Sequence, residues 1–375
     1  MKILQISFHT APFGNIGKND SGGLNVYVEN ISKQLSKNNT VVVVTAEEAK
    51  SFKKDNLEFR SFNLFNQGLS TEDKESYLQE FIDKLFDSLD LNSFDVIHAH
   101  YWLSGLIGRD LASKLNKPLI YTSHSFGVFL DGYNKERVDC EKIIMFSANA
   151  VTSSSKFEED IILENYTIDS TKIKQITPGV DNEIFSPDLL VNRENIFLSI
   201  GRIQEQKGQI ETIKFLDNFR KVENNFKCYF VGGPSGKTGH AYLENLKQTV
   251  SELNLESHID FLGNLPQEKV RDLLNKSKLL IHTSKQETFG LVAIEANAMG
   301  VPVLTNNNGS LLEIIDNNKN GLYSENLLDG SVNYFVQDLL NNNFGEIIQN
   351  CIESSKRYSW KHTSNDLEAL YKLFS

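Results

Sequence analysis

The chain has 375 residues, 49 of them acidic and 38 basic, for a net charge of −11. That length exceeds one ordinary hydrophobic core and predicts two domains of roughly 150 to 200 residues each. The acidic balance argues against a broad nucleic-acid or anionic-membrane surface and leaves only small basic pockets for anionic ligands.

Residues 3–8 read as a strand rather than a signal peptide, because the apolar run is short and a glycine-containing loop follows. No stretch reaches the length of a membrane-spanning helix, so a cytoplasmic protein is expected. Further strands are expected at 41–45, 59–62, 96–99, 119–122, 150–152 and 174–176. Helical patterns occupy 26–35, 75–89, 103–115, 135–146 and 156–163. Strands alternating with helices of this length predict βαβ units and a mainly parallel sheet.

Two prolines and a glycine between Pro178 and Pro187 mark a turn-rich boundary. A second series then runs with strands at 196–200, 228–231, 259–262, 279–282 and 301–304, and helices at 209–220, 241–253, 267–275 and 289–299. The tail from 332 to 375 is expected to be helical. The domains are therefore placed at 1–178 and 179–355, with a final helix at 356–375 returning to the first. Cys140, Cys228 and Cys351 are far apart and form no CxxC, so neither a disulfide framework nor a cysteine-ligated metal is expected.

In an open α/β sheet, ligands bind beyond the carboxyl ends of the strands, where helix starts present free amides. Gly201-Arg202-Ile203-Gln204-Glu205-Gln206-Lys207-Gly208 directly follows a buried strand. Arg202 and Lys207 suit a diphosphate clamp, a planar fork beside a compact charge. The alternative is a solvated basic loop paired with Glu205 and Glu211. Glu287 falls in a strand-to-helix turn and Glu295 about two turns into the next helix, where they suit a sugar and neutral hydroxyls. Two solvent-facing acids near a helix start are the plainer alternative.

Gly232-Gly233-Pro234-Ser235-Gly236 is a flexible turn offering either amides for a phosphate or a tight connection. Asp20-Ser21-Gly22-Gly23-Leu24 precedes a helix and suits close approach of an anion, or merely caps the helix. His98, His100 and His124 lie at or just after strand ends, without a ligand pattern that makes a metal site. No dinucleotide fingerprint follows the first strand, which disfavours a redox enzyme.

Taken in order, Ser21-Gly22-Gly23-Leu24-Asn25-Val26-Tyr27-Val28, His98-Ala99-His100-Tyr101-Trp102-Leu103-Ser104-Gly105, His124-Ser125-Phe126-Gly127, Pro178-Gly179-Val180-Asp181, Gly201-Arg202 with Lys207-Gly208, Gly232-Gly233-Pro234-Ser235-Gly236 and Glu287-x7-Glu295 span nearly the whole chain. The set resembles glycosyltransferase family 4, the retaining nucleotide-sugar transferases. Within that family it is similar to bacterial sucrose-phosphate synthases and the N-acetylglucosaminyltransferases of mycothiol synthesis. The resemblance implies an α/β GT-B fold, two Rossmann-like doubly wound domains facing across a cleft.

It also implies roles. Arg202 and Lys207 would bind the donor diphosphate beside Gly201 and Gly233, and Glu295 the ribose. Glu287 would meet the donor sugar, helped by amides around Phe289, Gly290 and Leu291, and His124 would meet the same sugar. Gly22 and Gly23 would lie by the phosphates, while Asn25, Tyr101 and Arg137 would face the acceptor. Where relatives carry a basic residue shortly after Gly127, Val128-Phe129-Leu130-Asp131 supplies none, which counts against a phosphorylated acceptor. Asn308-Gly309-Ser310 replaces a Gly-Gly pair, with the Ser310 backbone left to donate to pyrophosphate.

The implied reaction moves a hexosyl unit, glucose from UDP-glucose first, onto a small soluble sugar, sugar phosphate or sugar acid. It needs no tightly bound cofactor and no metal. The partners are then the sugar donor and carbohydrate acceptor, without nucleic acid and without a strong membrane signal. Oligomeric state is not read from the sequence. Transfer onto a lipid or cell-surface polysaccharide, and a noncatalytic nucleotide-sugar-binding protein, are the alternatives.

Overall fold

A computed structural model of the chain describes residues 1–13, 22–129, 134–306, 309–341 and 344–375. The expectations placed on Asp20, Ser21, Leu130, Asp131 and Asn308 lie outside the described residues. Two compact units result. One takes the described residues up to Pro178 together with Trp360–Ser375, and the other takes Gly179–Ser359.

The first unit is built on an eight-stranded sheet. In chain order its strands are β1 (Lys2–Ile6), β2 (Thr40–Glu47), β3 (Phe52–Lys54), β4 (Leu57–Phe65), β5 (Val96–His100), β6 (Leu119–Thr122), β7 (Ala150–Ser153) and β8 (Ile173–Gln175). They lie in the order β3-β4-β2-β1-β5-β6-β7-β8. Every neighbouring pair is parallel except β3 against β4. The run Val41-Val42-Val43-Val44 is buried throughout, as a strand covered on both faces requires. Leu4 sits in register between Val42 and Ile97. Burying a side chain of this size contributes about 1.5–3 kcal/mol relative to exposing it.

The chain leaves β1 toward β2 on one side and resumes at β5 on the other, so the sheet's topological switch lies between β1 and β5. The helix Trp360–Lys372 packs in this unit, with Trp360, Leu367, Leu370 and Tyr371 buried. Its Thr363 hydroxyl donates to the Thr177 carbonyl at 2.7 Å.

The second unit has six parallel strands, β9 (Ile196–Ile200), β10 (Lys227–Val231), β11 (Ile259–Gly263), β12 (Leu279–His282), β13 (Val303–Asn306) and β14 (Gly321–Ser324). Their order is β11-β10-β9-β12-β13-β14. Counted from β9 this is 3-2-1-4-5-6, the doubly wound order with its switch between the first and fourth strands. One face of the sheet carries Phe197, Phe219 and Phe226 in mutual ring contact, with Phe215 against Phe219, and the other carries Leu198, Leu280, Ile294 and Met299.

Several expected elements shift. The helix expected at 75–89 is two helices, Thr71–Glu75 and Leu78–Ser88. Between them Ser76 donates its hydroxyl back to the Asp73 carbonyl, while Tyr77 sets its ring edge-on to Phe65. The helix expected from Phe289 spans Leu291–Ala298. Its N-cap is Gly290 at φ +93°, a left-handed conformation that a helix cannot run through. Glu295 consequently lies about one turn into the helix, not two.

Candidate functional site

The switch point of the second sheet gathers most of the charged residues singled out by sequence. Arg202 and Lys207 follow β9, and Glu287 follows β12, the strand beside β9. Lys207 Nζ donates to Glu287 Oε2 at 2.8 Å, and His282 Nε2 lies 3.0 Å from the same oxygen. Burial alone would raise the Glu287 carboxyl, but the Lys207 ammonium and the His282 hydrogen bond outweigh it. Together they hold the group well below the usual carboxylate range.

Arg202 is exposed and its guanidinium has no partner among the described residues. Its backbone is fixed instead, with Gln209 Nε2 donating to the Arg202 carbonyl at 2.8 Å. The loops after β9 and β12 meet backbone to backbone. A Cβ on Gly208, at φ +65°, would stand 2.1 Å from the Thr283 carbonyl oxygen. Only glycine lets the Lys207 loop approach β12 this closely.

Glu287 is held from behind as well. The Ser310 amide and hydroxyl donate to its carbonyl oxygen at 3.1 and 3.0 Å. The Ser310 amide therefore serves Glu287, a correction to the expectation that it faces pyrophosphate. The glycine pair after β10 is engaged in the same way. The Gly232 amide donates to the Gly263 carbonyl at 2.8 Å and the Gly233 amide to Asn264 Oδ1 at 2.6 Å. Both are engaged within the protein, so this turn is the tight connection of the two alternatives. Gly201 likewise donates to the Val231 carbonyl at 2.9 Å.

Phe289 is buried and Gly290 precedes the helix, whose first turn has no side-chain cap. The Leu291 end therefore presents open amides. On the same helix Glu295 is half-buried and has no partner among the described residues. Burial pushes its carboxyl up to about 8. Its proton is thus retained in the folded state over a range where the unfolded chain has lost it, so stability falls as pH rises from about 4.3 toward that value. Glu295→Gln is expected to raise the melting temperature at pH 8 more than at pH 5. Equal shifts at both, read by scanning calorimetry, would contradict the burial of this group.

In the first unit, three histidines cluster, His98 midway along β5, His100 at its end and His124 just after β6. His98 Nδ1 bonds the Tyr371 hydroxyl at 2.6 Å and its Nε2 bonds Thr122 Oγ1 at 2.8 Å. Both ring nitrogens are thus satisfied, the structural role weighed for it. His100 Nδ1 and His124 Nε2 share a hydrogen bond of 3.1 Å. Burial lowers His98 and His124 to about 3 and His100 well below its ordinary value, so the cluster is neutral. His124 is half-buried at φ +59°, an uncommon conformation for a side-chain-bearing residue.

Tyr101, at φ +76°, packs its ring at a tilt against His9, with centroids 4.2 Å apart. Arg137 lies over the Tyr101 ring at 4.9 Å and reaches its hydroxyl at 3.3 Å. Its other donors go to Glu141 at 2.8 Å and to the Ser125 carbonyl and hydroxyl at 2.9 Å each. Glu141 in turn accepts from the Gly127 amide at 2.9 Å. Arg137 therefore fixes the loop carrying His124 and Ser125 and touches Tyr101. Asn25 is buried at the start of the helix Gly23–Leu35 and donates to Thr10 Oγ1 and the Ala11 carbonyl. Its Oδ1 accepts from the Gly22 amide at 3.1 Å, so it shapes the glycine turn before Gly23.

Two residues escaped the sequence reading. His282 looked like the last residue of an apolar strand. Lys74 is 1 % exposed, donates to the His9 carbonyl at 2.9 Å and lies 4.0 Å from Glu47. Only the rarity of a buried lysine marks it, and burial is not legible before folding. Among the described residues no group of His, Cys, Asp or Glu side chains is arranged to hold a metal, and no helix is long and apolar enough to cross a membrane.

Two family descriptions match this chain in succession, "Glycosyltransferase Family 4" over residues 21–184 and "Glycosyl transferases group 1" over residues 180–358. A D-inositol 3-phosphate glycosyltransferase of Corynebacterium jeikeium is 28 % identical over 410 aligned positions, covering 100 % of this chain and 96 % of the relative. Among solved structures, a sucrose-phosphate synthase from Thermosynechococcus elongatus superposes with a TM-score of 0.86 at 23 % identity, over 99 % of this chain and 98 % of that one. Anabaena HepE, solved with UDP and glucose, gives 0.80 at 18 % identity over 99 % of each chain. With the doubly wound units described above, these matches make the chain a GT-B glycosyltransferase, family 4 in its N-terminal half and group 1 in its C-terminal half.

Proposed function

We propose that this enzyme transfers a hexosyl group, glucose from UDP-glucose first, to a hydroxyl of a small sugar, sugar phosphate or sugar acid, with retention at the anomeric carbon. The observation carrying this reading is the switch point of the second sheet, where Lys207 pairs with the ionised Glu287 and Arg202 stands exposed on the same loop after β9. As the glycosidic bond breaks, negative charge gathers on the diphosphate and positive character on the sugar. Arg202 and Lys207 stabilise the first. Glu287 orients hydroxyls and opposes the second. The acceptor oxygen attacks from the face the diphosphate leaves, and its proton passes to the departing phosphate oxygen, so no separate protein base is required. Glu295 takes the ribose hydroxyls.

UDP with glucose, or UDP-glucose, fills the HepE structures, and UDP-2-fluoro glucose a trehalose-6-phosphate protein of E. coli, which supports the donor. The relatives named for D-inositol 3-phosphate support a phosphorylated polyol among the acceptors. A donor-by-acceptor matrix tests the reading, with UDP-glucose, UDP-galactose and UDP-N-acetylglucosamine against phosphorylated and free sugars and inositols. A new glycoside and stoichiometric UDP are expected. Donor binding with no product across the matrix would favour a noncatalytic sensor.

A further inference from the structure

We infer that His282 is a positioning residue that fixes Glu287 independently of Lys207 and selects which carboxylate oxygen meets the donor sugar. The inference rests on the reading that Glu287 contacts that sugar. His282 closes β12 beside the switch point, is 6 % exposed, and reaches Glu287 across the turn that separates them. Both donors, Lys207 Nζ and His282 Nε2, converge on Oε2, at 2.8 and 3.0 Å. Oε1 has no partner among the described residues. A carboxylate held by one oxygen presents the other in a fixed direction, and here the free one is available to a sugar hydroxyl.

The arrangement answers a difficulty built into the site. Lys207 is tied to Glu287, yet its ammonium is also assigned to the donor diphosphate. A cation shared between two anions holds each less firmly, and its long flexible stem does not fix direction. His282 is short, nearly buried and anchored on a strand, so it keeps Glu287 oriented when the ammonium turns toward phosphate. With Nε2 as donor to an ionised carboxylate, the imidazole carries its proton there, and the bond is charge-assisted. Ser310 clamps the Glu287 backbone while His282 clamps its side chain.

Calorimetric titration with UDP-glucose and with UDP, on wild type, His282→Val, His282→Gln and Glu287→Gln, tests this. His282→Val is expected to weaken UDP-glucose about tenfold, the loss of one hydrogen bond to a charged group, while UDP binds as before. His282→Gln, whose amide reaches the same oxygen, is expected within about threefold of wild type. A parallel loss of UDP and UDP-glucose affinity, or a valine variant equal to wild type, would overturn the inference. If Glu287→Gln weakens UDP-glucose but His282→Val does not, the inference alone fails. If Glu287→Gln leaves UDP-glucose unchanged, the reading of the site fails with it. Nitrogen-15 spectra of histidine-labelled enzyme supply a readout without ligand. His282 is expected to carry a proton on Nε2 whose shift moves in Glu287→Gln, and an unprotonated Nε2 would equally overturn the inference.

Discussion

Lys207→Ala is expected to lower kcat/KM for transfer by about 10²–10³-fold, the range seen when a preorganised donor to a developing anion is removed. The ammonium sits at the switch point of the second sheet, 24 % exposed and 2.8 Å from Glu287. Alanine leaves Arg202 as the only cation assigned to the diphosphate. It also removes one of two donors on Glu287 Oε2, so the carboxyl moves back toward its ordinary range. The fold should survive, because the loop is held by Gly208 against Thr283 and by backbone bonds of Gln204 and Glu205, not by the lysine side chain. Unchanged circular dichroism with near-normal turnover would remove Lys207 from the mechanism.

Glu287→Gln is expected to lower turnover about 10²-fold, with a distinct signature in stability. The Glu287 carboxyl is held below its unfolded value, so its contribution is fully present above about pH 4.3 and is lost as pH falls toward the folded value. Wild type should therefore lose stability between about pH 5 and pH 3 more steeply than the glutamine variant. At neutral pH the variant leaves Lys207 without its counter-charge, at a cost of about 2 kcal/mol for a partly buried pair. Denaturant melts across this range measure both effects. Identical pH slopes would mean that Lys207 and Glu287 do not pair in solution.

The doubly wound architecture was legible because parallel strands, covered on both faces, must be nearly continuous apolar runs. Val41–Val44 and Leu279–Ile281 are such runs. Strand β3 was missed because Phe52-Lys53-Lys54 is short, exposed and polar, an edge with no burial pattern to read. That the loops carrying Lys207 and Glu287 meet was legible from strand-end placement, since a switch point brings such loops together whatever lies between them in sequence. His282 was not, because a histidine at the end of an apolar strand looks like core until the turn to Glu287 is built. The turn at Gly232 and Gly233 left two alternatives open for the opposite reason. A glycine pair after a strand permits close approach, but sequence does not say whether a ligand or a neighbouring loop makes it.

The central claim is that the carboxyl edge of the second sheet, at β9 and β12, is the donor site. A crystal structure of the enzyme soaked with UDP tests it most directly. The diphosphate is predicted within hydrogen-bond distance of Arg202 and Lys207, with a ribose hydroxyl on the Glu295 carboxyl group. UDP bound anywhere remote from those three side chains would contradict the account.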